Sequence, residues 1–403
     1  MISWVLHIIL IGILGLIVYR AVKNEVSKLI FSTALGLRII TCIVAGFIFY
    51  NLYPGDSISF YESAKATLDN HSVWSILSSD FVTNDYSKQP RVLFFIQILS
   101  VALMLSGGSY WIASLYFALL SFTTSIYFVV QFGRLFPSLK PLSVVFFLFL
   151  PSVLFWSSGI LKDTISYSAF VIVVAQILKA QKGVKIKWLE LGIGILALLV
   201  LFKIKHYLLI VSFLFAGITL SIYWFKKLEG IWKWIVAVPT LLILFAMTQF
   251  VHPYLKIDRI PQTIYENNQA IIGKTSSENQ LDIFVEKPEW NSVLKEMPNS
   301  LYTGLFRPTI FDKTPTLGIV HKVENLVLLS LTFFSLLSWL RLKPKINWRL
   351  ILPALFCIGL LATLLAMTTP NLGSLVRYRN AYLPFLFVLV SILPFQYLTS
   401  KAS

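Results

Sequence analysis

Apolar residues run in long blocks along most of this chain, and polar residues gather in breaks between them. A helix needs about 17–25 apolar residues to cross a bilayer. Blocks near 2–19, 33–53, 109–133, 142–160, 164–180, 188–202, 207–225, 231–250, 325–341, 348–369 and 381–398 meet or approach that length. They are continuous rather than alternating, so they predict helices and not barrel strands. The pattern predicts an all-α polytopic transmembrane bundle of about 11–12 crossings with juxtamembrane helices at its outer face. The block 91–107, which ends at Gly107–Gly108, is short and reads as a shallow surface or re-entrant element.

Two polar stretches interrupt the pattern. Residues 54–90 read as a first outer loop with short helices, opening on Pro54-Gly55-Asp56. Residues 251–324 are too long for a plain connection. Within them Trp290, Leu294, Met297, Leu301 and Leu305 recur at helical spacing. That spacing predicts an amphipathic helix lying on the membrane or capping the bundle. The whole chain, 1–403, reads as a single integral-membrane domain.

Composition agrees with this picture. The chain is 57% hydrophobic and 13% charged, against about 25% charged in a soluble protein. Its net charge of +16 does not point to nucleic acid. Most Lys and Arg sit in short loops, where they orient helices against anionic lipid. Arg20, Lys23 and Lys28 mark one cytoplasmic loop; Lys179 to Lys187, Lys226 to Lys233, and Arg341 to Arg349 mark three more. Alternation then puts the N-terminus outside and the C-terminus inside, in what reads as a bacterial inner membrane. The block 2–19 lacks a basic start and a small-residue cleavage site, so it reads as a first transmembrane helix rather than a cleaved leader. Cys42 and Cys357 fall inside apolar blocks, and the five histidines are scattered. No cofactor follows from such a pattern, and a divalent metal is left open.

Candidate chemistry collects on the predicted outer face. Asp56 follows the second block, where a partly desolvated carboxylate suits a general base. The same residue could instead cap the helix that follows. Lys88 closes that loop, either snorkelling to headgroups or binding phosphate. Lys162-Asp163 interrupts two apolar blocks; it reads either as a local ion pair or as a second acidic site. Lys203, Lys205, His206, Arg307, Arg377 and Arg379 are cations on the face where the orienting rule disfavours them. Arginine in particular grips phosphate through paired hydrogen bonds. No phosphate-binding glycine loop, dinucleotide turn, zinc-protease or serine-hydrolase motif occurs.

These motifs resemble those of the multi-pass GT-C glycosyltransferases. Gly55-Asp56-Ser57-Ile58-Ser59-Phe60-Tyr61 looks like that family's acidic first-loop element. Lys88-Gln89-Pro90, Pro151 to Asp163, and Arg377-Tyr378-Arg379 with Pro384 resemble three of its later elements. The resemblance implies transfer of a sugar from a polyprenyl-phosphate donor to a glycan, lipid or protein acceptor. It implies Asp56 and Asp163 as catalytic residues and the outer cations as substrate-binding ones. Many members carry two adjacent acids in the first loop, whereas Ser57 follows Asp56 here, so the resemblance leaves the second acid's role to Asp163 or Glu62, or leaves it absent. The chain also resembles the polymerases that join lipid-linked polysaccharide repeat units. A non-enzymatic lipid-linked glycan transporter or membrane-complex subunit is the third expectation.

Overall fold

A computed structural model describes residues 2–52, 55–70, 75–76, 90–225, 231, 235, 239, 256–313, 318–342 and 348–402. Among them the architecture is all-helical, with no strand. Seven helices are long and apolar enough to cross a membrane, and a bent pair, Leu372–Arg379 with Leu383–Thr399, would make an eighth. The chain divides into two compact units: Met1–Lys179 with Lys185–Leu209, and Ala180–Val184 with Ile210–Ser403.

In the first unit, α1 (Ile2–Val22) packs on α5 (Tyr110–Leu135). Its outer side exposes Leu6, Ile9, Ile13 and Ile17, as a lipid-facing helix does. Ser27 caps α2 (Lys28–Phe47) by accepting from the Ile30 N–H, and the helix continues as a π turn over Ile48–Leu52. Next come α3 (Asp56–Asn70) and α4 (Pro90–Leu105), which pack against each other through Phe60, Ala64, Phe95 and Leu99. The short block at 91–107 forms α4, a 16-residue helix that falls short of the candidate spans. Val92, Phe95, Ile96, Leu99 and Leu103 of α4 are all fully buried.

The block 142–160 does not form one continuous helix. It folds as α6 (Lys140–Leu148) and α7 (Pro151–Trp156), which the chain breaks before Pro151 and ends at Ser157-Ser158-Gly159. Pro151 cannot donate the hydrogen bond that would continue α6. Gly159, at φ 113°, adopts a backbone conformation that side-chain-bearing residues resist. Then follow α8 (Lys162–Gln181) and α9 (Trp188–Ile204).

The second unit holds most of α10 (His206–Phe225), then α11 (Ile260–Ile272), α12 (Trp290–Phe306), α13 (Gly318–Leu342), α14 (Trp348–Thr368), α15 (Leu372–Arg379) and α16 (Leu383–Ala402). The block at 231–250 lies almost wholly outside the described residues. α12 is the helix that the spacing at 290–305 predicts, and it turns its apolar stripe outward. Trp290, Leu294, Met297 and Leu301 are exposed, while Val293, Ser300, Thr303 and Gly304 are buried. Small residues let two helix backbones approach closely, which favours them at helix contacts in lipid. At Gly304 the approach is extreme: an added Cβ would lie 2.2 Å from the Ala362 carbonyl oxygen of α14.

Between α11 and α12 the chain is irregular, with Leu281, Ile283 and Val285 fully buried. Asn268 of α11 holds this segment by donating to the carbonyls of Ile283 (3.1 Å) and Met367 (2.8 Å) and accepting from the Val285 N–H.

Candidate functional site

The predicted site residues fall into both units. In the first, α3 starts at Asp56. The carbonyl of Gly55 accepts the first helical bonds, from Ile58 and Ser59 N–H, at 3.1 Å each. Asp56 is thus inside the first turn rather than before it, where a carboxylate complements the helix dipole. Ser57 and Tyr61 fix the helix: the Ser57 hydroxyl meets the Tyr110 hydroxyl at 2.9 Å, and Tyr61 donates to the Gly108 carbonyl at 3.0 Å. Phe60, one turn beyond Asp56, is fully buried. The Lys162 Nζ lies 4.7 Å from the centre of its ring. Residues four apart share a helix face, with Cβ atoms about 5–6 Å apart. Asp56 and Lys162 therefore belong to one neighbourhood.

Asp163 is held from far along the chain. Its partner is Lys205, whose Nζ donates to the Asp163 carboxylate across 42 positions of sequence. Both are buried, Asp163 to 3% exposure. Lys205 closes α9 and its Nζ also lies 5.9 Å from the Tyr207 ring centre. Ile165 of α8 and Ile204 of α9, which flank this pair, pack in the same core cluster as Phe60 of the Asp56 helix. Lys203 is exposed and His206 half-buried at the start of α10. Glu62 is exposed, and Lys88 lies outside the described residues.

One residue of this unit escapes sequence reasoning. Arg38 of α2 is 1% exposed. Its Nη1 donates to the Val153 carbonyl at 3.0 Å, to the Ser157 hydroxyl, and to the Ser158 hydroxyl at 3.5 Å. Arg38 thus ties α2 to the turn that ends α7. About 15 Å of helix separates it from Lys28 and about 21 Å from Leu52, so it lies deep within the apolar span. The same turn is held from α5, where Ser121 donates to the Ser157 carbonyl. Ser121 lies about 16 Å of helix from Tyr110, so the turn sits well inside the bundle rather than at its end. The available signal was a lone arginine in an apolar block, which marks a functional candidate by default.

No known protein family, characterised protein or solved structure matches this chain.

In the second unit, Arg307 is gripped by Asp312 through Nε at 3.0 Å and through Nη2. Asp312 also accepts the Thr309 N–H at 2.5 Å and hydroxyl at 2.9 Å. Burial pushes the Asp312 carboxyl up, but the bonds from Arg307 and Thr309 outweigh it and hold the group below its ordinary value of 3.8. Arg379 is 2% exposed. It donates to the carbonyls of Arg307 and Leu305 (2.6 Å) and to the Asn325 side chain at 3.0 Å. Tyr382 adds a bond to the Gly304 carbonyl at 2.7 Å. These bonds lock the end of α12 to the bend after α15. Arg377 is half-buried, 5.7 Å from the centre of the Tyr378 ring. Among the described residues, no three His, Cys, Asp or Glu side chains gather into a metal-holding group.

Proposed function

We propose that this chain is a membrane-embedded glycosyltransferase that moves a sugar from a polyprenyl-phosphate donor to a glycan, lipid or protein acceptor at the outer face of the membrane. One observation supports the reading above the others. Lys162 covers Phe60 on the helix that begins with Asp56, and beside Lys162 stands the buried Asp163–Lys205 pair. An acid, a cation and a second acid thus share one neighbourhood inside an apolar bundle.

In this reading the Asp56 carboxylate takes the proton of the acceptor hydroxyl. The hydroxyl oxygen bonds to the anomeric carbon as the bond from that carbon to the phosphate oxygen breaks. The electron pair leaves with the polyprenyl phosphate, and Lys162 stabilises its charge. Fixed cations act most strongly where water is excluded. Asp163 orients Lys205 and tempers the local positive charge.

Replacing Asp56 by Asn should lower transfer about a hundredfold or more, the usual effect of losing a general base. The measurement is turnover of a radiolabelled lipid-phosphate sugar by purified protein. Full activity in that variant would end the proposal. The lipid-linked species that builds up in a deletion strain separates two readings: a single-sugar carrier for the transferase, whole repeat units for the polymerase.

A transporter is the second reading, favoured by the broken helices at 148–162 and 379–383. Transporters place such breaks around their substrates. Uptake of labelled glycan lipid into proteoliposomes, unaffected by Asp56→Asn, would support it.

A further inference from the structure

The candidate spans α1, α2 and α5 meet at one end of the first unit, where Glu25 joins the turn after α1 to the end of α5. That turn is tight. The Val22 carbonyl accepts from the Glu25 N–H at 2.8 Å and from the Val26 N–H at 2.9 Å, and Val26 is buried. Arg20, Lys23 and Lys28 flank the turn and are exposed. Across from it, Arg134 Nε donates to the Glu25 carboxylate at 3.0 Å. Lys140 Nζ donates to the same carboxylate at 3.4 Å and to the Glu25 carbonyl. Gly133 gives Lys140 its path, since a Cβ there would lie 2.7 Å from the lysine stem.

Cations therefore outnumber acids heavily around Glu25. No carboxylate among the described residues pairs with Arg20, Lys23 or Lys28. Arg134 spends Nε on Glu25, yet its side chain stays 53% exposed. The rule that sorts cations to one side of a membrane acts through their number. It does not require residues 20–28 and 134–140 to come together, nor an acid to link them. The ends of spanning helices lie among lipid headgroups. Next to the patch, α1 exposes Ile13, Leu16 and Ile17, and Leu29 of α2 is exposed as well. Positive charge beside bare apolar helix complements a negative headgroup on acyl chains.

We propose that Arg20, Lys23, Lys28 and Arg134 bind an anionic phospholipid that carries two phosphates. One phosphate lies over the α1–α2 turn and the other at the exposed end of Arg134, with Glu25 keeping the two apart. The acyl chains lie along α1. The site is independent of the transferase reading.

Native mass spectrometry of the full chain in a neutral maltoside detergent tests this. The separate probes are tetraoleoyl diphosphatidylglycerol, dioleoyl phosphatidylglycerol and dioleoyl phosphatidylcholine. One diphosphatidylglycerol should bind per chain, at least about tenfold more tightly than phosphatidylglycerol, with phosphatidylcholine weaker still. Replacing Arg20, Lys23 and Lys28 together by Gln should weaken it at least about tenfold, and Arg134→Gln about fivefold. Lys185→Gln with Lys187→Gln, in the turn between α8 and α9, should leave it unchanged. Equal binding of the one- and two-phosphate lipids overturns the proposal. So does unchanged binding in the triple variant, or an equal loss in the Lys185 and Lys187 control. Arg134→Gln also breaks the bond to Glu25; should it fail to fold, the triple variant decides, because its three exposed side chains hold no ion pair among the described residues.

Discussion

Arg38 and Arg379 are both buried guanidinium groups inside apolar helical units, yet they are built in differently. Arg379 spends Nη1 and Nη2 on two carbonyls and an asparagine, leaving only Nε without a partner among the described residues. Its acceptors belong to two separate segments, so the side chain acts as a clamp. Arg38 leaves a whole bidentate edge unused. A cation engaged at both Nη groups holds a fold together, whereas one with two N–H groups unmatched carries a stability cost.

The contrast can be broken or sharpened by substitution. The largest effect belongs to Arg379→Met, which frees the end of α12 and strands its carbonyls. It should destabilise the protein by about 3 kcal/mol, since bonds to a charged donor are strong. Thermal unfolding in detergent reads this out, and a variant as stable as the wild type would remove the clamp. Gly304→Ala comes next. Its Cβ cannot share space with the Ala362 oxygen, so α12 and α14 must separate, at about 1–3 kcal/mol. Arg38→Met should behave in the opposite sense. Replacing an uncompensated buried charge by an apolar side chain should leave stability within about 1 kcal/mol of wild type, or raise it. A collapse as severe as that of Arg379→Met would show that the two arginines do the same work.

The smallest effect is on pH. Asp312 titrates below its ordinary value because Arg307 and Thr309 favour the charged form. A depressed carboxyl adds stability above its unfolded value, and that stability is lost as pH falls through the folded one. The difference in melting temperature between wild type and Asp312→Asn should therefore be constant near neutrality and shrink below pH 3.8. A difference that persists unchanged down to pH 2 would remove the carboxylate from the α12 junction.

Much of the helical layout was legible in the apolar blocks. The blocks at 109–133 and 164–180 became α5 and α8 almost unchanged, because each is bounded by helix-ending signals and lacks an internal one. The block at 142–160 misled because hydropathy averages over Pro151 and Gly159. Those residues interrupt the backbone without interrupting the apolar character. The face that α12 turns outward was left open by the spacing. In water an apolar stripe turns inward, whereas next to lipid it can turn outward while small residues make the contact. The cluster around Asp56 was legible in part. Asp56, Lys162 and Asp163 were visible as exceptions, but the partner of Asp163 lies 42 positions away, and local sequence carries no information about it. Arg38 was visible only as a lone charge, and its unused edge is a property of three dimensions.

The break between α6 and α7 has a consequence for biogenesis. Nine and six residues are each too short to reach across a bilayer. Neither half would be recognised by the insertion machinery as a span in its own right. The hairpin must enter the membrane late, drawn in against α2 and α5 once α8 has been made. A nascent chain arrested before α8 should therefore leave residues 140–156 open to protease, and a cysteine introduced there open to thiol-reactive labels, and one arrested after it should not.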